Sequence, residues 1–351
     1  MARLSGTLHL AGLGRRLGGH PLLWHLALAV AAAIVLYVIT SALSPYNDFQ
    51  VAQIALYVIA LAGLTVLTGA NGQISLGHGA FMLVGAYTAA MLLTHTQVPL
   101  PVALIASMVA SGVFGVIIGV PAVRLRGPYL AGLTLALAIG LPSIPVRFGG
   151  IFGGEEGLTV LPPLAPDGID PERWLSWIGL IAALAVLVLL ANLMRSEVGR
   201  RFRSVRDDEL AAQLVGVKVG ATKVLAFVVS AACAGLAGGL LGLASGIVNP
   251  GEFPVSLSIG LLAGMVLGGA GSLVGVWWGA IFLVYVPQWA TSVAGVLNLS
   301  SGASSNLAIV FYGLVLIVLM LVAPRGIQGG LSSLGRWLWA LRRTAPTDAA
   351  P

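Results

Sequence analysis

The sequence predicts an all-α polytopic membrane protein with about ten transmembrane helices, and three observations predict it. Of 351 residues, 58% are hydrophobic and 9% are charged, whereas a soluble domain carries about a quarter charged residues. Eighteen basic and twelve acidic side chains are too few to solvate a chain of this size in water, and the mean hydropathy is +0.98. The apolar residues gather into uncharged runs, several approaching the ~20 residues a helix needs to cross ~30 Å of hydrocarbon. Lipid offers the backbone no hydrogen-bonding partner, so long runs without strict alternation imply helices and not barrel strands. Glycine, at 47 positions without a Gly-X-Y period, suits close helix contacts and excludes collagen.

In chain order the expected spans are 26–43, 51–69, 79–93, 100–120, 128–144, 175–194, 224–247, 257–267, 273–289 and 307–323. The first follows Arg3, Arg15 and Arg16, and its apolar core exceeds a signal-peptide h-region, so it reads as an uncleaved helix. The third and eighth are short and are expected to be partial or broken. Trp24, Trp174, Trp177 and Trp289 fall near span ends, where interfacial anchors belong. With the N-terminus inside and all ten runs crossing, 16 of the 18 basic residues face the cytoplasm and only Arg147 and Arg173 lie outside. The opposite orientation would reverse that bias. The expected organisation is therefore a cytoplasmic segment 1–25, a membrane domain 26–323 and a basic cytoplasmic tail 324–351. The pI near 9.9 follows orientation, because the basic residues are scattered through loops, and nucleic-acid binding is not expected. Cys233, the one cysteine, cannot form an internal disulfide and reads as a small packing residue.

Two loops are long. The outer one, 147–174, carries five acids and is open to two readings, a docking surface for an external partner or a solvated acidic loop. The inner one, 195–223, reads RSEVGRRFRSVRDDELAAQLVGVKVGATK. Asp207 or Asp208 can cap a short helix whose apolar face carries Leu210, Ala211, Leu214 and Val215, and Gly216 can end it. Such a helix is unstable alone and must dock. Acidic lipid headgroups against Arg200, Arg201 and Arg203 are one partner and a protein is another.

No chemistry of bond making is evident. There is no G-x-x-x-x-G-K-[ST] motif for ATP phosphates, His78 has no ligand companion nearby, and Ser75 lacks the nucleophile elbow, so no catalytic or metal site is assigned. None of the ten uncharged runs contains an ionisable Asp, Glu, Lys or Arg, which removes the usual element of proton coupling. Gln73, Ser75 and His78 lie among Gly72, Gly77 and Gly79, and a second glycine-rich break holds Gly268, Gly269, Gly271 and Ser272. Broken-helix backbone lining a pathway is one reading of these positions. Helix packing with side-chain hydrogen bonds is the other. A Gly-x-x-Ser-Leu echo, at 72–76 and 269–273, is the only trace of an inverted repeat.

The run 199–240 (GRRFRSVRDDELAAQLVGVKVGATK and the helix after it) resembles the cytoplasmic loop of the M-type permease subunit of bacterial branched-chain amino acid ABC importers. Segments 69–92, 249–280 and the ending FYGLVLIVLMLVAPRGI are similar to the same family. The resemblance implies an ABC importer permease-like fold, with Asp208, Glu209, Ala211, Ala212 and Gly216 forming an EAA-type loop that contacts an ATPase. Here the pattern is E-L-A-A-x-x-x-G, a departure from a strict E-A-A triplet. It also implies a bacterial inner-membrane location, a companion H-type permease, two ATP-binding subunits using ATP and Mg, and an external solute-binding protein. The chain would bind no cofactor itself. Its cargo would be branched-chain amino acids, or related small amino acids or amides such as urea. An ion-gradient-driven secondary transporter is the alternative of a different class.

Overall fold

The structure, a computed structural model, describes residues 44–96, 98–125, 128–162 and 164–296, and also 30, 33, 37, 40, 313, 314, 317, 318 and 326–330. Apart from those positions, the expected spans 26–43 and 307–323, the segment 1–25, the tail 324–351 and the similar ending lie outside the described residues.

The described residues are helical almost throughout. Helix α1 (Pro45–Leu64) begins with proline in its first turn, where the missing N–H is no loss, and runs on as a π-helical turn, Thr65–Ala70. It is followed by α2 (His78–His95), α3 (Leu100–Ala122), α4 (Pro128–Gly140), α5 (Ser143–Arg147) and α6 (Gly149–Phe152). A two-residue strand β1 (Leu158–Thr159) precedes α7 (Pro171–Arg195), α8 (Glu197–Asp207), α9 (Glu209–Leu214) and α10 (Val219–Ser245). Strand β2 (Ile247–Val248), a 3-10 turn at Pro250–Glu252, α11 (Val255–Gly269) and α12 (Val276–Val296) complete the described residues. Among them, six helical stretches are long and apolar enough to cross a membrane, which makes this a multi-pass membrane protein.

The eight expected spans between residues 51 and 289 each fall on helix. The expected short span 257–267 is a 15-residue helix preceded by the 3-10 turn. The fifth span is the interrupted one: α4 stops at Gly140 and α5 restarts beyond Leu141 and Pro142. The helices also extend past the uncharged cores and take charges with them. Asp48 in α1 is fully buried and accepts from Arg173 Nε of α7 at 3.2 Å, and Lys223, in the second turn of α10, is buried against Glu209. A run defined by lack of charge ends where the first charge appears. The helix ends only where its hydrogen bonds do.

Helix α10 is the centre, packed by α1, α2 and α3, while α7 packs on α1 and α12 on α11 and α1. Small residues make this closeness feasible. A Cβ at Gly238 would collide with the Met82 carbonyl oxygen, and one at Gly85 with the Gly235 backbone. Such backbone proximity gains dispersion contacts that lipid tails cannot match. Phe81 fills the junction, edge-on to Phe114 and Phe227 with centroids 5.7 Å apart in both cases. Ser111 Oγ donates to the Phe81 carbonyl at 2.8 Å.

The two ends of the bundle differ. One carries α8, α9, the 71–77 connection and the turn from α11 to α12. The other carries α5, α6 and an antiparallel pairing of Leu158 with Val248 and Thr159 with Ile247, so the loop 147–174 is partly stitched to the bundle.

Candidate functional site

The end that holds α8 and α9 is built locally by capping. Ser196 Oγ accepts from Val198 N–H at 3.2 Å and starts α8, which buries Gly199, Phe202 and Val205 and leaves Arg200 and Arg201 outward. Asp208 breaks the helix in an extended conformation, and its Oδ1 accepts from the N–H groups of Leu210 (2.8 Å) and Ala211 (3.0 Å), starting α9. The end of α9 has paired closures, Val217 N–H to Ala212 O at 3.0 Å and Gly216 N–H to Gln213 O at 2.9 Å. This is the Schellman arrangement, which needs a left-handed residue, and Gly216 supplies φ +84°.

The six-residue helix so formed points its small side inward. Ala212 packs on Val205 and Val219, while Ala211 is exposed. The outer face carries Leu210, Leu214 and Val215, which are 70%, 89% and 78% exposed. Glu209 forms an ion pair with Lys223 of α10. Arg206 at the end of α8 donates from Nη1 to Gly69 O at 2.9 Å and pairs with Asp207.

The 71–77 connection lies directly beneath. The π turn hands its last hydrogen bonds to Asn71, Gly72 and Gln73, whose N–H groups reach Val66, Thr68 and Leu67 carbonyls. Gln73 Nε2 donates to Asn71 Oδ1 at 2.6 Å and to the Lys223 carbonyl at 3.1 Å. Gly72 has φ +78°, and a Cβ there would come within 2.9 Å of the Arg206 stem. The broken backbone is satisfied from other helices: Leu76 N–H by Thr134 Oγ1 of α4 and Gly79 N–H by Ser258 Oγ of α11, both at 2.9 Å. Ser75 Oγ accepts from Gly77 N–H at 3.3 Å, and His78 is fully buried edge-on to Phe81.

The fold thus brings Gly72, Gln73, Asp208 and Glu209 to one cavity of about 310 Å³. Ser75 and His78 lie within the bundle among packing partners. The second glycine break forms the α11–α12 turn, where Ser272 Oγ accepts from Gly275 N–H at 3.1 Å and Gly268 abuts Gly275. This turn belongs to the same end, because a Cβ on Gly69 would come within 2.5 Å of Gly271 N. Reading the sequence missed Asn71, Arg206 and Lys223, which also line the cavity. Lys223 carried a signal, since a lysine near a helix N-terminus opposes the helix dipole and calls for a partner.

Comparison with known proteins finds relatives in sequence. The high-affinity branched-chain amino acid transport system permease proteins LivM of Salmonella typhimurium and Escherichia coli K12 are 29% identical over 254 residues, covering 65% of this chain and 60% of theirs. The chain therefore spans three-fifths of the length of these relatives. BraD, a high-affinity branched-chain amino acid transport system permease protein of Pseudomonas aeruginosa, is 29% identical over 292 residues, 78% of this chain and 91% of that one. LsrC of an Enterobacter strain, an autoinducer 2 import system permease protein, is 28% identical over 273 residues, 74% of this chain and 77% of that one. The family model for the permease component of branched-chain amino acid transport systems matches residues 46–321, and the chain belongs to that family.

Proposed function

We propose that this chain is the M-type transmembrane subunit of an ATP-driven importer in a bacterial inner membrane. It passes branched-chain amino acids, or related small amino acids and amides, inward after an external binding protein delivers them. Its partners are an H-type permease and two separate ATP-binding subunits, which use ATP and Mg. The observation that carries this reading is α9: three large apolar side chains stand in water on a helix too short to persist without its caps. A rigid apolar knob suits a groove on a protein. Through Glu209 and Lys223 it is tied to α10, the helix against which α1, α2 and α3 pack, so a push on α9 reaches the core.

Orientation follows the basic residues, with 195–223 and both termini cytoplasmic. Residues 147–174 then face outward, where Leu161 and Leu164, almost fully exposed, suit a docking partner. The test is ATP-driven leucine uptake by the full chain reconstituted with its ATPases, companion permease and binding protein. Leu214→Asp should abolish uptake and ATPase association while the chain stays inserted. Cysteines placed at 153–170 should be labelled from outside and those at 200–213 only after permeabilisation. Uptake by the chain alone under a sodium or proton gradient would overturn the proposal.

A further inference from the structure

We infer that the cavity between α9 and the 71–77 connection binds an aliphatic zwitterionic amino acid on the exit side, and that occupancy uncouples α9 from α10. The inference rests on the importer reading and adds its regulation. At about 310 Å³ the cavity is at the small end of ligand sites, which run from ~300 to ~1,000 Å³. Among the described residues its charged lining consists of two cations, Arg206 and Lys223, and two anions, Asp208 and Glu209. A simple anion or cation entering would meet a like charge. A dipolar ion can set its carboxylate on the cations and its ammonium on the acids, exchanging pair for pair so that the buried Lys223 ammonium is not left alone.

Two further observations point to the same ligand. Asn71 lines the cavity and is only 2% exposed; its Oδ1 is taken by Gln73, but its Nδ2 has no hydrogen-bond partner. A buried donor left so is costly, and a carboxylate oxygen would satisfy it. Another part of the lining is aliphatic, with Ile74, Leu125, Leu130 and Val205, and accepts a branched hydrocarbon side chain. Ligand bound in this way replaces the Glu209–Lys223 pair that ties α9 to α10, so solute accumulated inside slows further import.

The probe is leucine. In the full chain in nanodiscs, a Gln213→Cys thiol at the cavity is labelled with a maleimide; Cys233 is buried and stays silent. At ten times its dissociation constant leucine should slow labelling about elevenfold. Leucinamide, N-acetylleucine and inorganic phosphate should not, and adding Asn71→Ser should weaken the protection. In the reconstituted complex, leucine loaded inside the vesicles should lower the initial uptake rate relative to empty vesicles, and Asn71→Ser should bring that ratio back toward one. Labelling indifferent to leucine, equal protection by phosphate or the blocked analogues, or protection unchanged by Asn71→Ser would overturn the site. Protection without any effect of internal leucine on uptake would overturn the regulatory role. Empty vesicles that show no ATP-driven uptake would sink the importer reading, and the labelling arm would still decide the site.

Discussion

Replacing Gly216 by alanine isolates one energetic contribution to the lever. Gly216 has φ +84°, and a Cβ built on it meets nothing within 4 Å. No steric clash enters, so the penalty is that of holding an L-residue in the left-handed region, about 1–2 kcal/mol. That acts on a helix of six residues whose ends depend on the Asp208 cap and the Gly216 closure. A loss of this size lowers the closed-to-open ratio of the helix end by roughly 5- to 30-fold. In the reconstituted complex, leucine taken up per ATP hydrolysed should fall for Gly216→Ala by up to that factor. Gly216→Asn should recover much of the loss, because asparagine tolerates the left-handed region. The bundle itself should melt unchanged, as followed by exposure of the Cys233 thiol in α10 to a fluorogenic dye. Alanine behaving like glycine, or asparagine no better than alanine, would refute the argument that conformation at this residue sets coupling.

Two further predictions concern the parts joined to α9. Glu209→Gln should destabilise more than Lys223→Met, since the Lys223 side chain is 8% exposed and Glu209 38%; the first leaves a buried ammonium unpaired and the second leaves a carboxylate that water reaches. Thermal melts of the two single variants and the double variant measure the order. In the core, Gly238→Ala pushes a methyl group into the Met82 carbonyl and should cost about 1–3 kcal/mol. Gly132→Ala in α4, with nothing within 4 Å, should be neutral or stabilising by up to about 1 kcal/mol; equal melting of both would count against tight α10 packing.

Much of the site was legible locally. A cap at Asp207 or Asp208, a stop at Gly216 and one face with Leu210, Ala211, Leu214 and Val215 depend on spacing within one helix; the structure caps at Asp208, turns at Gly216 and leaves that face exposed. What Ala212 packs on was not legible, because it depends on where Val205 and Val219 come to lie. Gln73, Ser75 and His78 were recognisable as polar residues in a glycine-rich break. Their fates diverge through partners far away in sequence: Gln73 meets Lys223 O, whereas the broken backbone beside Ser75 and His78 is closed by Thr134 and Ser258.

Residence in a membrane, helical class and the place of the short helix α9 follow from sequence alone, because hydropathy and end-capping are short-range and lipid forces the backbone to satisfy itself within each segment. Tertiary structure decided which polar groups meet. Asp48 and Arg173 are 125 residues apart, and Arg206 and Gly69 are 137 apart. Pairings of that kind exist only once helices distant in sequence have packed against each other.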